Sequence, residues 1–300
     1  MELKAWTYEE FRDYRTEGVQ RIPTTGDETA VRYINDVVYA EMDGTPLHLQ
    51  ILIPYSRNNP KRILPCVVYV QGSAWMKQDI HGDVPQLSKL AERGFVCTLV
   101  EYRHSGIASF PAPVVDARNA VRFLRMHAEE YGIDPEKIIM SGNSSGGHTA
   151  VYAGMRHNDD TDENLYPGVS AEVKGIINYY GSTVFTIEDS NPMTSSHLQA
   201  DSPEGREAGS VDLRERRDLL EAMSADLSIH DDTVIAPVLI LHGTKDRVVN
   251  TECSTILWKR LKETGHDAEY YLIEGADHGK AEFWSAPVLD IVEEFIRRCI

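Results

Sequence analysis

Gly142-Asn143-Ser144-Ser145-Gly146 sets two serines between glycines. A serine hydroxyl becomes a nucleophile when a base takes its proton and the surrounding chain leaves it open to attack. The G-x-S-x-G spacing serves both needs. A strand turns sharply into a helix and holds the central serine in a strained conformation, so a side chain two residues to either side would strike backbone. That register selects Ser144. Ser145 would have Asn143 and Gly147 at its flanks, and Ser141 would have Ile139 before it. Residues 137–140 (KIIM) read as the strand and residues 146–155 (GGHTAVYAGM) as the helix, whose N-terminal amides point where an oxyanion would form.

A nucleophilic serine needs a base, and the base needs an acid to orient it. On a strand–turn–helix elbow the partners follow in the order Ser, Asp or Glu, His, on loops after later strands. Asp246 follows the apolar run PVLILHG and His278 follows AEYYLIEGAD, with room for one helix, 251–264, between them. His242, at the end of its strand, reads as a structural hydrogen bonder, and His148 as a helix residue facing sideways. Asp277 comes from the wrong loop to orient its neighbour. An acyl-transfer site also needs oxyanion donors. One is the N–H of Ser145. The others are expected from the small-residue loop Gln71-Gly72-Ser73-Ala74-Trp75, which follows the apolar run VVYV.

These loops require a scaffold of strands with aligned carboxyl ends. Residues 33–54 alternate apolar and polar around Asp43-Gly44, a hairpin pattern. Six short apolar runs follow, of the kind that forms buried parallel strands: LPCVVYVQG, FVCTLVEYR, KIIMSG, VKGIINYYG, PVLILHG and AEYYLIEG. Between them lie helical patterns, the clearest at 114–131, ended by Gly132; the C-terminal segment repeats the pattern with Val288, Val292, Phe295 and Cys299. The expectation is a single α/β domain over 1–300, with a polar, helix-compatible extension at 1–30. Residues 182–232 break the rhythm with many charges and a loop-like DSPEGREAGSVD. They read equally as a small cap over the carboxyl edge or as a solvated surface insertion.

Composition narrows the partners. A formal charge of -17 over 300 residues would repel phosphate backbones and anionic membranes, so neither nucleic acid nor membrane is expected. Cys66, Cys97, Cys253 and Cys299 lack metal-type spacing, and two of them sit in strand-like runs, which fits free thiols in a reducing compartment. With a charged N-terminus and no long apolar run, the expected location is cytoplasmic.

Several stretches together carry a resemblance over roughly residues 30–298: YVQGSAW, EYRHS followed by FPAPVVDARNAVRFLR, YGIDPEKIIMSGNSSGGHTA, SPEG, LHGTKDRVV and GADHG. The chain resembles α/β-hydrolases of the bacterial acetylesterase and feruloyl-esterase-like (BD-FAE) type, related to the hormone-sensitive-lipase group. The resemblance implies an α/β-hydrolase fold: a mostly parallel sheet of about eight strands, helices on both faces and a small cap insertion. It implies Ser144 as nucleophile, Asp246 as acid, His278 as base, and oxyanion donors from the backbone of Ser73, Ala74 and Ser145. Glu101, Arg103 and Asp116 match bracing positions. Gln71 stands where such relatives carry histidine, Ser73 and Ala74 where they often carry glycine, and Ser145 where alanine is common.

The expected activity is a serine esterase acting on short acyl esters, acetyl or feruloyl groups on carbohydrates included, without metal or cofactor. Trp75 and residues of 182–232 are expected to shape the acyl or alcohol pocket, with core packing as the alternative role for Trp75. A serine peptidase on the same triad is one rival. A non-catalytic ligand-binding relative is another, against which the presence of all three triad residues counts.

Overall fold

The computed structural model describes residues 17–155, 163–187, 197–279 and 281–300. Most of the proposed 1–30 extension lies outside them.

The hairpin forms where Asp43-Gly44 allows it. Strands β1 (Ala30–Met42) and β2 (Thr45–Tyr55) pair antiparallel through a two-residue turn in which Asp43 and Gly44 both have positive φ, 52° and 73°. The apolar runs become β3 (Leu64–Val70), β4 (Val96–Val100), β5 (Ile133–Asn143), β6 (Gly175–Tyr179), β7 (Val238–Gly243) and β8 (Ala268–Ile273). The sheet order is β1-β2-β4-β3-β5-β6-β7-β8, and every pair from β4 to β8 is parallel. Every residue of β4 and β6 is buried, as continuous apolar strands covered on both faces must be.

Helices cover both faces. The helices are α1 (Val84–Ala91), α2 (Ala112–Met126), α3 (Ala128–Tyr131), α4 (Ser145–Ala153), α5 (Pro203–Glu207), α6 (Arg217–Met223), α7 (Ala225–Ser228), α8 (Thr251–Glu263) and α9 (Ala286–Cys299). Alternate strand residues separate the two main cores. Val68, Val70, Met140 and Ile240 pack with α2, α4 and α8, whereas Val67, Tyr69, Ile139 and Leu241 pack with α1 and α9. The helix expected over 114–131 is interrupted at His127, whose ring stacks on Phe123 at 4.3 Å between centroids, and it resumes for one turn up to Gly132 at φ 68°.

The loop-like DSPEGREAGSVD in fact contains α5. Ser202 caps it by accepting the Gly205 N–H at 2.9 Å, and Pro203 occupies the first helical position, where a missing N–H costs nothing. Around α5 to α7 a third apolar cluster forms from Trp75, Phe185, Leu198, Ala208, Leu213, Leu220 and Met223. Among the described residues, no helix is long and apolar enough to cross a membrane.

Candidate active site

Parallel pairing brings the carboxyl ends of β3, β5, β6, β7 and β8 to one edge. The elbow there is sterically compulsory. A Cβ on Gly142 would lie 2.1 Å from the carbonyl oxygen of Gly146, and one on Gly146 would lie 2.0 Å from that of Val70. Ser144 itself holds φ 52° and ψ −126°, a conformation that costs a non-glycine residue about 1–3 kcal/mol and persists only where the surroundings enforce it.

Three residues widely separated in sequence meet at this turn. His278 Nδ1 lies 2.8 Å from Asp246 Oδ2, and His278 Nε2 lies 2.9 Å from Ser144 Oγ. Because a carboxylate only accepts, Nδ1 carries the hydrogen and Nε2 is left to accept the proton of Ser144. Asp246 is buried, and burial pushes its carboxyl upward. Hydrogen bonds from His242 and His278, the His278 charge and the Val248 amide outweigh that and hold it well below the usual carboxylate range. Its Oδ1 accepts the Val248 and Val249 amides at 2.8 and 2.9 Å.

His242 is a buried structural hydrogen bonder, as its place at the strand end suggests, and one of its partners is Asp246. Its Nε2 faces two acceptors, Val249 O at 3.0 Å and Asp246 Oδ2 at 3.2 Å, so it donates there, while Nδ1 meets the Ser254 hydroxyl at 2.7 Å. Asp277 ties the loop that carries His278 to the loop that carries Asp246. It accepts from Arg247 N and Nε at 3.1 and 2.8 Å and from the His278 amide at 2.8 Å. His148 lies buried on α4 with Nε2 donating to Met223 O at 2.9 Å, away from the triad. Arg103 is buried against Asp116, which accepts its backbone N–H at 2.8 Å, and Glu101 accepts the His48 amide at 3.1 Å, so both brace loops.

A profile of the BD-FAE family matches residues 49–261, a span that includes the elbow and Asp246 and stops short of His278. The chain belongs to the BD-FAE family. It is 28% identical over 210 residues to the probable carboxylic ester hydrolase LipM of Mycobacterium tuberculosis, an overlap of 69% of this chain and 47% of that protein. The chain spans about half the length of the curated relatives it matches. Among solved structures, a truncated carbohydrate esterase from gut microbiota superposes with a TM-score of 0.76 at 23% identity, covering 91% of this chain and 98% of that one. Propionate-bound esterase 2 of Thermogutta terrifontis gives 0.67 at 25% identity, covering 93% and 97%. The fold is that of an α/β-hydrolase, with the eight-stranded, mostly parallel sheet expected.

In this BD-FAE chain the loop after β3 is gripped by both variable positions of the elbow motif. Asn143 Oδ1 accepts the Gly72 amide at 2.6 Å, and Ser145 Oγ accepts the Ser73 amide at 3.0 Å. Asn143 also donates through Nδ2 to the Tyr180 hydroxyl at 3.1 Å, and the Tyr180 ring packs edge-on against His278 at 4.6 Å. Neither Asn143 nor Tyr180 stands out in the sequence, although a short amide side chain beside Ser144 in the G-x-S-x-G motif is an available signal. Of the three expected oxyanion amides, that of Ser73 is engaged by Ser145. Among the described residues those of Ala74 and Ser145 donate to no protein acceptor.

Trp75 belongs to the packed interior. It is 1% exposed, with its ring edge-on to His148 at 5.3 Å and to Phe185 at 6.1 Å. Its indole therefore backs the site as part of the core under α5 to α7 and is not an open pocket wall. Glu204 of α5 reaches the elbow indirectly. It accepts from Ser182 Oγ at 3.2 Å and from His197 Nδ1 at 2.9 Å, and the Ser182 amide donates to Ser144 O at 3.4 Å.

Proposed function

We propose that this chain is a serine carboxylic-ester hydrolase acting on short acyl esters, including acetyl or feruloyl groups carried by carbohydrates. The observation that carries the reading is the unbroken hydrogen-bonded series Asp246–His278–Ser144 on a strained elbow at the carboxyl edge of the sheet. In this reading His278 Nε2 takes the Ser144 proton as Oγ attacks the ester carbonyl, and Asp246 stabilises the imidazolium that forms. The tetrahedral oxygen is held by backbone amides, the alcohol leaves with the proton from His278, and a water activated by the same nitrogen releases the acid.

LipM's designation as a probable carboxylic ester hydrolase supports the reaction class. The carbohydrate esterase among the structural neighbours supports a sugar-borne ester. Residues 182–232 act as a small cap whose described part packs over Trp75 and reaches the elbow through Glu204 and Ser182.

The test is initial-rate hydrolysis of 4-nitrophenyl acetate by the protein and by Ser144→Ala, followed by acetylated sugars, feruloyl esters and 4-nitrophenyl esters of lengthening acyl chains. Loss of turnover in the variant and a preference for short acyl groups are expected. Equal hydrolysis by both proteins would overturn the reading.

A further inference from the structure

Ser145 brings a second hydroxyl to the residue beside the nucleophile, and its chemistry is different. The side chain is buried, and His278 Nε2 is already occupied by Ser144. Ser145 Oγ accepts the Ser73 N–H at 3.0 Å. The Ser73 hydroxyl donates to Met76 O at 2.5 Å, so in its 3.0 Å contact with Tyr102 the phenol must be the donor. Burial pushes the Tyr102 phenol up to about 12, partly offset by the neighbouring serines. Two protons thus have one place each: Tyr102 to Ser73, and Ser73 to the Met76 carbonyl.

This relay is anchored from outside. The Tyr102 amide donates to Gln78 Oε1 at 2.9 Å, and Gln78 Nε2 donates to Gln71 O and Val100 O at 3.0 and 3.1 Å. Beyond Ser73, Ala74 and Trp75 both hold positive φ, 54° and 53°, and the Ser105 amide fixes Trp75 O at 2.7 Å. Two successive strained residues keep their conformation only if the loop is held at both ends. Ser145 and Tyr102 hold one end, and the buried indole of Trp75 holds the other.

We propose that the Ser145 hydroxyl is a positioning residue that takes the Ser73 amide out of the oxyanion-binding set, leaving a two-donor site made by the amides of Ala74 and Ser145. A backbone N–H has a single hydrogen, and sharing it between Ser145 Oγ and an oxyanion would weaken both contacts. The Ser145 hydroxyl thus sets which amides face the substrate, while its own amide, first in α4, has no helical carbonyl to bond and supplies one of them. The role of these amides in catalysis rests on the esterase reading. The capture of Ser73 by Ser145 does not.

The test has two arms. In the first, amide hydrogen exchange is followed by NMR in the full chain, in Ser145→Ala and in Ser145→Thr. Exchange at Ser73 is expected to speed up at least about ten-fold in Ser145→Ala, with Ala74 unchanged, and to return toward the original rate in Ser145→Thr. Unchanged protection of Ser73 in Ser145→Ala overturns the proposal whatever the enzyme activity. In the second, the protein is reacted with diethyl 4-nitrophenyl phosphate, whose phosphoryl oxygen stands in for the oxyanion. Amide proton shifts at Ala74 and Ser145 with Ser73 unmoved are expected; a shift at Ser73 overturns the two-donor assignment. In the same series kcat for 4-nitrophenyl acetate is expected to fall about ten-fold in Ser145→Ala with KM within about two-fold. Failure of the probe to react at Ser144 would count against the esterase reading and leave the first arm decisive for Ser145.

Discussion

Asp246 Oδ2 lies 2.8 Å from Nδ1 of His278 and 3.2 Å from Nε2 of His242, so one carboxylate oxygen serves two imidazoles. Asp246→Asn would oblige one amide to satisfy both rings and would favour the wrong tautomer of His278. A fall in kcat of about 10⁴ is expected, with KM within a few-fold, measured on 4-nitrophenyl acetate. Because the folded carboxyl is held below its ordinary value, its contribution to stability is present above that value and is lost only as pH falls through the depressed one.

His148 is fully buried, and desolvation lowers it from 6.5 to about 4 against a smaller opposing effect of its bond to Met223. Below pH 6.5 the unfolded chain takes up a proton that the folded chain refuses, so stability falls as pH drops toward 4. Between pH 7 and 5 this group alone removes about 2 kcal/mol. Urea unfolding of His148→Phe, which keeps the aromatic packing, is expected to show a correspondingly shallower loss over that interval.

Glu207 is buried in α5, and neither of its carboxyl oxygens has a hydrogen-bond partner among the described residues. Desolvation, with a smaller push from Asp116, raises it well above the ordinary value. The folded group therefore stays protonated where the unfolded one ionises, and stability is lost as pH rises above the ordinary carboxylate value. Glu207→Met is expected to raise the free energy of unfolding at pH 7 by about 1–3 kcal/mol, with a smaller gain at pH 4, as read from denaturant midpoints.

Trp75→Ala tests whether the indole packs or binds. Buried against His148 and Phe185, it is expected to cost about 3–5 kcal/mol of stability. Trp75→Phe, which keeps most of the packing, is expected to leave KM for 4-nitrophenyl acetate within about two-fold. A large rise in KM in a stably folded Trp75→Phe would instead mark a substrate contact.

The parts of the fold that the sequence exposes are those with a strong local signal. Buried parallel strands read as unbroken apolar runs, Asp43-Gly44 specifies its turn, and Gly142 and Gly146 announce a backbone approach that no side chain allows. Ser144, Asp246 and His278 were legible because strand ends place them in order on one edge. What stayed hidden depends on contacts across the chain. Asn143 and Ser145 acquire their partners only when the loop after β3 is laid over the elbow, 71 and 72 residues away in sequence. The short helix α5 hid within a glycine-containing, charged stretch because a single serine cap and one proline set its start. Trp75 sits in a loop, where aromatic residues suggest a pocket, and only the packing of α5 to α7 turns it into core.

The central claim is that Ser144 is the attacking atom. It is tested most directly by mixing the protein with 4-nitrophenyl acetate at low pH, quenching within the first turnover, and mapping the acetyl group by peptide mass spectrometry. The predicted result is one acetyl group per chain on Ser144, with a matching burst of 4-nitrophenolate, both absent from Ser144→Ala. An acetyl group on Ser145, or an undiminished burst from Ser144→Ala, would contradict it.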